Sequence, residues 1–210
     1  MRKLKDSRRP EILGAALALA DERGLAAVSM RAVAQRLGLT PMALYGYFRN
    51  KEELLDGVLG QMLSEVELPA DGIGWREALE RLAYGVREIG ASHPAAFPLL
   101  LARPAVSPAA LRLVEAVYRL LLAAGVPPQE VPRLERMLGT FVLGHVTSEV
   151  SGRFGAGTLD PAERRAQFET GDLPGHEAVA GYLDHYPDAG AEFRANLDDV
   201  MTLVERAVAR

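Results

Sequence analysis

Residues 29–55, SMRAVAQRLGLTPMALYGYFRNKEELL, hold two short helical patterns separated by Gly38 and restarted by Thr40-Pro41. This punctuation limits the fold sharply. A core-forming hairpin would spend these positions on Leu and Ala, whereas here one helix is expected to end at Leu37-Gly38 and another to begin almost at once. Glycine lacks a Cβ and readily takes the left-handed conformation that closes a helix. Thr40 offers a capping oxygen, and Pro41 suits the first helical position, where a fixed φ is already helical. Ser29 can cap the earlier helix of the pair. Asn50-Lys51-Glu52-Glu53 then opens a further helix with a cap residue and a Glu three positions on, a variant of the capping box. Leu55, Leu59, Met62 and Val66 give that helix one apolar face.

Strand signals are nearly absent and helical periodicity runs from end to end, so the chain is expected to be all-α. A first helix is expected from about Pro10 to Arg23, with Pro10 in its first turn and Gly24 closing it. The break LPADGIG at 68–74 divides a head at 1–50, with a linking fourth helix at 51–67, from a body at 68–210. Body helices are expected near 75–92, 94–102, 108–124, 129–152, 175–186 and 190–209, punctuated by prolines. The Gly-, charge- and Pro-rich stretch 152–174 reads as a loop.

Charge follows the same division. Residues 1–51 carry ten Lys/Arg against four Asp/Glu, a balance of +6, while the rest carry fourteen against twenty-four, a balance of −10. A basic head on an acidic body points the head alone at a polyanion. The absence of cysteine excludes a disulfide scaffold, a thiolate nucleophile and a Cys-ligated zinc site. No apolar run approaches the ~20 residues that span a bilayer. The opening MRKLKDSRRPEILGAALALADE imitates an export signal, with a basic start, an apolar run and Arg8-Arg9. The same residues read as an amphipathic helix with Ile12, Ala16 and Leu19 on one face, and the chain is expected in the cytoplasm.

The pair of short helices meets the needs of a helix-turn-helix. Ala34 is small enough for a close crossing, Gly38 can take the turn, and Val33, Leu37, Leu39 and Leu44 fall at spacings that close a small core. The outward face of the second helix keeps Thr40, Pro41, Met42, Ala43, Gly46 and Tyr47, most of them small enough to enter a major groove about 12 Å wide. Arg31 is placed for a bidentate bond to guanine. Tyr45, Lys51 and the start of the fourth helix suit phosphate oxygens. Phe48 reads as core. For Tyr45 packing in the core remains the alternative.

The stretch SMRAVAQRLGLTPMALYGYFRNKEELLDGV resembles the signature of the tetracycline-repressor (TetR) family of bacterial transcription regulators, over about residues 8–67. The rest resembles that family in being all-helical. The resemblance implies an N-terminal three-helix helix-turn-helix DNA-binding domain and a C-terminal helical bundle for ligand binding and dimerisation. It implies a homodimeric regulator, foremost a repressor, on a near-palindromic double-stranded operator, released by a small-molecule effector, with no cofactor and no catalysis. Base reading then falls to Arg31, Pro41, Met42, Ala43 and Tyr47, and phosphate contact to Ser29, Thr40, Tyr45 and Lys51. Gly46 stands where a larger residue is often found.

In the body, the stripe Phe193, Leu197, Val200, Met201, Val204 and Val208 is long for one small domain to hide. With Leu138, Val142 and Val146 it is assigned, by the resemblance, to a four-helix dimer interface; ordinary core within one chain is the alternative. Effector contacts are expected among Met62, Leu82, Val86, Phe97, Leu100, Tyr118, Phe141, His145 and Glu149. Leu82, Val86 and Leu100 fall where the family's founding member holds tetracycline and its magnesium. Apolar side chains cannot ligate a metal, so no metal and a more apolar effector are expected. A small-molecule-binding protein or a metal-assisted enzyme using the body pocket is the rival reading, since His145 and Glu149 stand at i, i+4.

Overall fold

The computed structural model describes residues 2–70, 72–103, 107–153, 173–182 and 188–209, with residues 2–7 as helical backbone only. Every regular element among them is helical: α1 Arg2–Arg23, α2 Met30–Arg36, α3 Pro41–Tyr45, α4 Lys51–Leu63, α5 Trp75–Ser92, α6 Leu99–Ala102, α7 Pro108–Ala123, α8 Val131–Val150, α9 Pro174–Val179 and α10 Ala189–Val208. Two 3₁₀ turns, Leu25–Ala27 and Ala180–Tyr182, complete the order.

The expected caps form. Ser29 Oγ accepts from the Ala32 amide at 3.1 Å, Thr40 Oγ1 from Ala43 at 3.2 Å, and Asn50 Oδ1 from Glu53 at 2.8 Å. Each satisfies an amide that lacks an intrahelical partner.

Four expectations about boundaries are corrected. α1 begins at Arg2, so Pro10 lies inside it. The preceding Arg, Lys and Leu residues favour helix, and Pro10 removes one backbone bond without stopping the chain. α4 ends at Leu63, short of 67; Ser64 Oγ donates to the Gln61 carbonyl at 2.6 Å and draws that acceptor out of the ladder. The helix expected over 94–102 is confined to Leu99–Ala102, after a run of turns through Pro94 and Pro98, whose missing N–H groups cannot extend α5. Of the helix expected over 175–186, residues 174–179 are α-helical and 180–182 are 3₁₀, while 183–186 lie outside the described residues. Most of the expected loop at 152–174 also lies outside them.

α1 packs on α4 and α2 on α3, burying Ile12, Ala16, Val33, Ala34, Leu44 and Phe48 completely. In the body α5 packs on α7 and α8, and α10 lies along α8. α4 touches α1, α5 and α7, so the linking helix belongs to both packing groups. Gly90 lets α5 approach α8: a Cβ there would overlap Val146 and lie 3.3 Å from Phe97.

The body stripe packs largely inside the chain's own core. Leu138, Val142, Val146, Phe193, Leu197, Met201 and Val204 are all buried within the single chain. Phe193 stacks on Phe141 at 5.7 Å and meets Tyr84 and His145 edge-on at 5.3 and 5.1 Å. α5 and α8 together therefore cover a stripe that looked too long for one chain. Of the expected interface residues only Val200, half-buried, and Val208, exposed, remain at the surface.

Candidate nucleic-acid interface and ligand pocket

The turn between α2 and α3 is held by its backbone. Gly38 has φ 65°, its amide donates to the Gln35 carbonyl at 3.2 Å, and the Leu39 amide donates to Ala34 at 2.8 Å. These paired bonds are a Schellman closure, which only a residue at ease with positive φ sustains at low cost. Below α3, Leu44 and Phe48 are fully buried. Arg9 places its guanidinium 4.3 Å from the Phe48 ring centre and donates to the Tyr47 carbonyl at 2.6 Å. Sequence reasoning missed Arg9, because its partners stand far along the chain.

With the inner face fixed, the outer face is left to solvent. Arg31, Thr40, Pro41, Met42, Ala43, Tyr45 and Gly46 are exposed, Met42 to 79% and Tyr45 to 50%. The alternative of Tyr45 as a core residue is therefore set aside. Ser29, Tyr47 and Lys51 are half-buried. A water-facing methionine and tyrosine on one five-residue helix form a surface that folding alone does not explain.

Charge sorts the same region. Arg8 pairs with Glu11, Arg9 with Glu53, Arg36 with Glu22, and Arg49 with Glu53. Arg31 and Lys51 have no acidic partner among the described residues, so these two cations stay available to an external anion. The start of α4 suits phosphate less than expected. Glu52 and Glu53 occupy its first turn, and Glu53 accepts from the Arg49 amide at 2.8 Å instead of completing a capping box on Asn50. Those bonds, from the Arg49 backbone and then its side chain, hold the Glu53 carboxyl below its ordinary range. Two carboxylates there oppose an anion, leaving Lys51 as the attractive group.

The body holds a half-open cavity of about 180 Å³. Leu79, Leu82, Ala83 and Val86 of α5, Leu100 of α6, Ala110, Leu113, Val114 and Val117 of α7, and Leu138, Gly139, Val142 and Leu143 of α8 line it, with Leu63 of α4. Glu135 supplies the one charged lining group.

Of the candidate effector contacts, Leu82, Val86 and Leu100 lie together on the cavity wall. Six other candidates are placed elsewhere. Met62 and Phe97 are wholly buried in packing, and Tyr118 is half-buried on α7 away from the cavity. Phe141 and His145 belong to the aromatic cluster around Phe193. Glu149 is held by Arg87 through two bonds of 2.8 and 2.6 Å, so its charge is already matched. That pair also takes away the second ligand of the supposed His145–Glu149 metal site. Among the described residues no group of three or more His, Asp or Glu could hold a metal ion, and no helix is long and apolar enough to cross a membrane.

A third cluster joins the two packing groups. His93 Nδ1 lies 2.9 Å from Asp21 of α1, and Nε2 lies 3.2 Å from Glu65 beyond α4. Burial opposes the charged ring, but hydrogen bonds and charge from Asp21 and Glu65 outweigh it and raise the pKa above the ordinary 6.5. A raised folded pKa adds stability that is fully present below the unfolded value and is lost as pH climbs through the folded one. The melting midpoint is accordingly expected to fall between about pH 6 and pH 8, and His93→Gln to flatten that part of the profile. Identical slopes in parent and variant would contradict the assignment.

Comparison with known proteins bears on both sites. The family described as "Bacterial regulatory proteins, tetR family" matches residues 12–58, and "Tetracyclin repressor-like, C-terminal domain" matches residues 68–198. An HTH-type transcriptional regulator of Saccharopolyspora erythraea is 31% identical over 191 residues, covering 90% of this chain and 78% of the relative. The HTH-type transcriptional repressor DrrR1 of Streptomyces coeruleorubidus is 35% identical over 141 residues, covering 66% of this chain and only 52% of its own length. Among solved structures, ActR of Streptomyces coelicolor in complex with actinorhodin has a TM-score of 0.84 at 23% identity, covering 96% of this chain and 98% of that one.

Proposed function

The chain belongs to the tetR family of bacterial regulatory proteins, and we propose that it is a repressor that binds a near-palindromic operator as a homodimer and leaves it when a small, mainly apolar molecule enters the body. It acts as a switch and not as an enzyme. The head is residues 1–50, the linking helix 51–67, and the ligand-binding and dimerising body 68–210. Arg31 with the exposed face of α3 reads bases; Tyr45, Lys51, Ser29 and Thr40 meet phosphates. The DrrR1 name supports repression, and the actinorhodin complex of ActR supports a cavity of this fold as a small-molecule site.

Dimerisation is assigned to the surface that α8 and α10 share. Phe141, Gly144, Ser148, Asn196 and Val200 border a shallow depression there, and Leu203 is 43% exposed. These outward residues replace the buried stripe as the surface a second copy would cover.

One observation carries the ligand-responsive reading: the linking helix α4 reaches the cavity through Leu63, and a short cavity-lining segment is also bonded to the first turns of α4. Leu100 of α6 lines the cavity. Arg103, three residues on, donates to Asp56 of α4 at 2.7 Å and to the Glu52 carbonyl at 3.2 Å. A molecule that displaces Leu100 therefore pulls on the first turns of α4, which packs on α1 of the head. Changing the tilt of α4 alters the separation of the two heads, and an operator needs half-sites about 34–36 Å apart. Nearly complete release requires about 5.5 kcal/mol of differential affinity between the two states.

Arg103→Ala is the test. With an effector found by a thermal-shift screen of lipophilic compounds, the variant is expected to bind operator about as well as the parent. Its release by effector should weaken by about tenfold, within the usual range of coupling free energies. Undiminished release in the variant would contradict the route through Arg103.

A further inference from the structure

The cavity wall breaks the pattern of the helix that forms it. α8 turns Leu138, Gly139, Val142 and Leu143 to the cavity, and Glu135, one turn earlier, takes the same face. Helical periodicity calls for an apolar residue there. Around the carboxylate the lining is Leu, Val, Ala and Gly, and no cation among the described residues pairs with it. Its chain neighbour Arg136 acts only through its longer-range field, lowering a pKa that burial raises further. Glu135 is half-buried, so its carboxylate is partly stripped of water beside an apolar wall without a partner cation among the described residues. Such departures from local consistency concentrate at functional sites. The space beside the carboxylate is also open. Gly139 has no side chain, and a Cβ there would sit in ordinary contact with Glu135 Oε1 at 3.8 Å, so its absence leaves methyl-sized space beside that oxygen.

We propose that the cavity takes an amphiphilic cation, a compact apolar molecule with one ammonium or amidinium group that pairs with Glu135. The inference rests on the cavity being the effector site, and it names the chemical class of that effector. An apolar body matches the aliphatic walls, while the cationic end supplies a charge that the described residues leave unmatched at Glu135. A neutral alcohol can donate one bond to Glu135 but cannot cancel its charge, and an anionic ligand is repelled.

Calorimetric titration of the full chain with n-octylamine, n-octanol and octanoate near neutral pH separates these cases. The amine is expected to bind about ten- to a hundredfold more tightly than the alcohol, in keeping with a charge-assisted bond, and octanoate more weakly than either. Glu135→Gln should bring the amine down to the level of the alcohol and leave octanol binding unchanged. The same variant should melt no lower than the parent, because it removes an unmatched charge. Equal affinities for amine and alcohol, or an amine preference that survives Glu135→Gln, would overturn the charge assignment while leaving an apolar effector site in place. Failure of all three probes to bind would overturn the effector site itself and this inference with it.

Discussion

Phe48→Ala is expected to melt the amino-terminal helices and abolish duplex binding, with a loss of about 3–5 kcal/mol. Phe48 is wholly buried where α1 and α4 meet the exit of α3. The Arg9 guanidinium lies 4.3 Å from its ring centre, and its Cε1 lies 3.3 Å from the place a Cβ would take at Gly57. Truncation leaves a void that Leu44, Leu54 and the fixed turn at Gly38 cannot collapse to fill, and it strands Arg9 without its aromatic face. The Arg9 bond to the Tyr47 carbonyl weakens with it, so α3 loses its orientation as well as its support. Circular dichroism on heating should show an early loss of helix that the parent lacks, with the body melting near its usual temperature. A single unshifted transition, with duplex binding retained, would contradict this role.

Arg31→Ala and Lys51→Ala are expected to fail in different ways, although both remove one unpaired cation from the same basic head. Arg31 lies on α2 beside the exposed face of α3, where a guanidinium can make two bonds to a guanine edge. Its loss should cost about 1–3 kcal/mol on the preferred operator and relax preference at one base position, with little effect on random duplex. Lys51 offers a point charge at the start of α4, in a turn already occupied by Glu52 and Glu53. Its loss should weaken every sequence alike and reduce the salt slope of binding by about one unit. Anisotropy titrations on preferred and scrambled duplexes at several salt concentrations distinguish the two. Uniform loss from Arg31→Ala, or sequence-selective loss from Lys51→Ala, would reverse the roles.

What could be read from the chain was what local spacing determines. Ser29, Thr40 and Asn50 each cap an amide three residues on, and Gly38 closes a helix through neighbouring carbonyls. No distant information is needed for such bonds. Contacts between Arg9 and Phe48, Arg103 and Asp56, or Arg87 and Glu149 join residues far apart in the chain, and nothing in their spacing announces them. The cavity was partly legible, through Leu82, Val86 and Leu100, because those positions followed from resemblance. Phe97 and His145 point inward as periodicity implies, but an inward residue fills space unless its neighbours are small. Ala83, Ala110 and Gly139 leave the room, and a void of this kind is a difference between volumes that no single position reveals. The stripe on α10 was ambiguous for a similar reason: an amphipathic helix shows that it needs cover without showing whose. Here α5 and α8 of the same chain supply it.

Incubating the full chain with a pool of random-sequence duplexes, recovering what it retains and sequencing it examines the head and the pairing of two copies together. The recovered sequences are predicted to share a two-fold-symmetric motif, with half-site centres about one helical turn apart or a multiple of it. A recovered pool indistinguishable from the input, even at low salt, would contradict the proposal that this chain reads DNA.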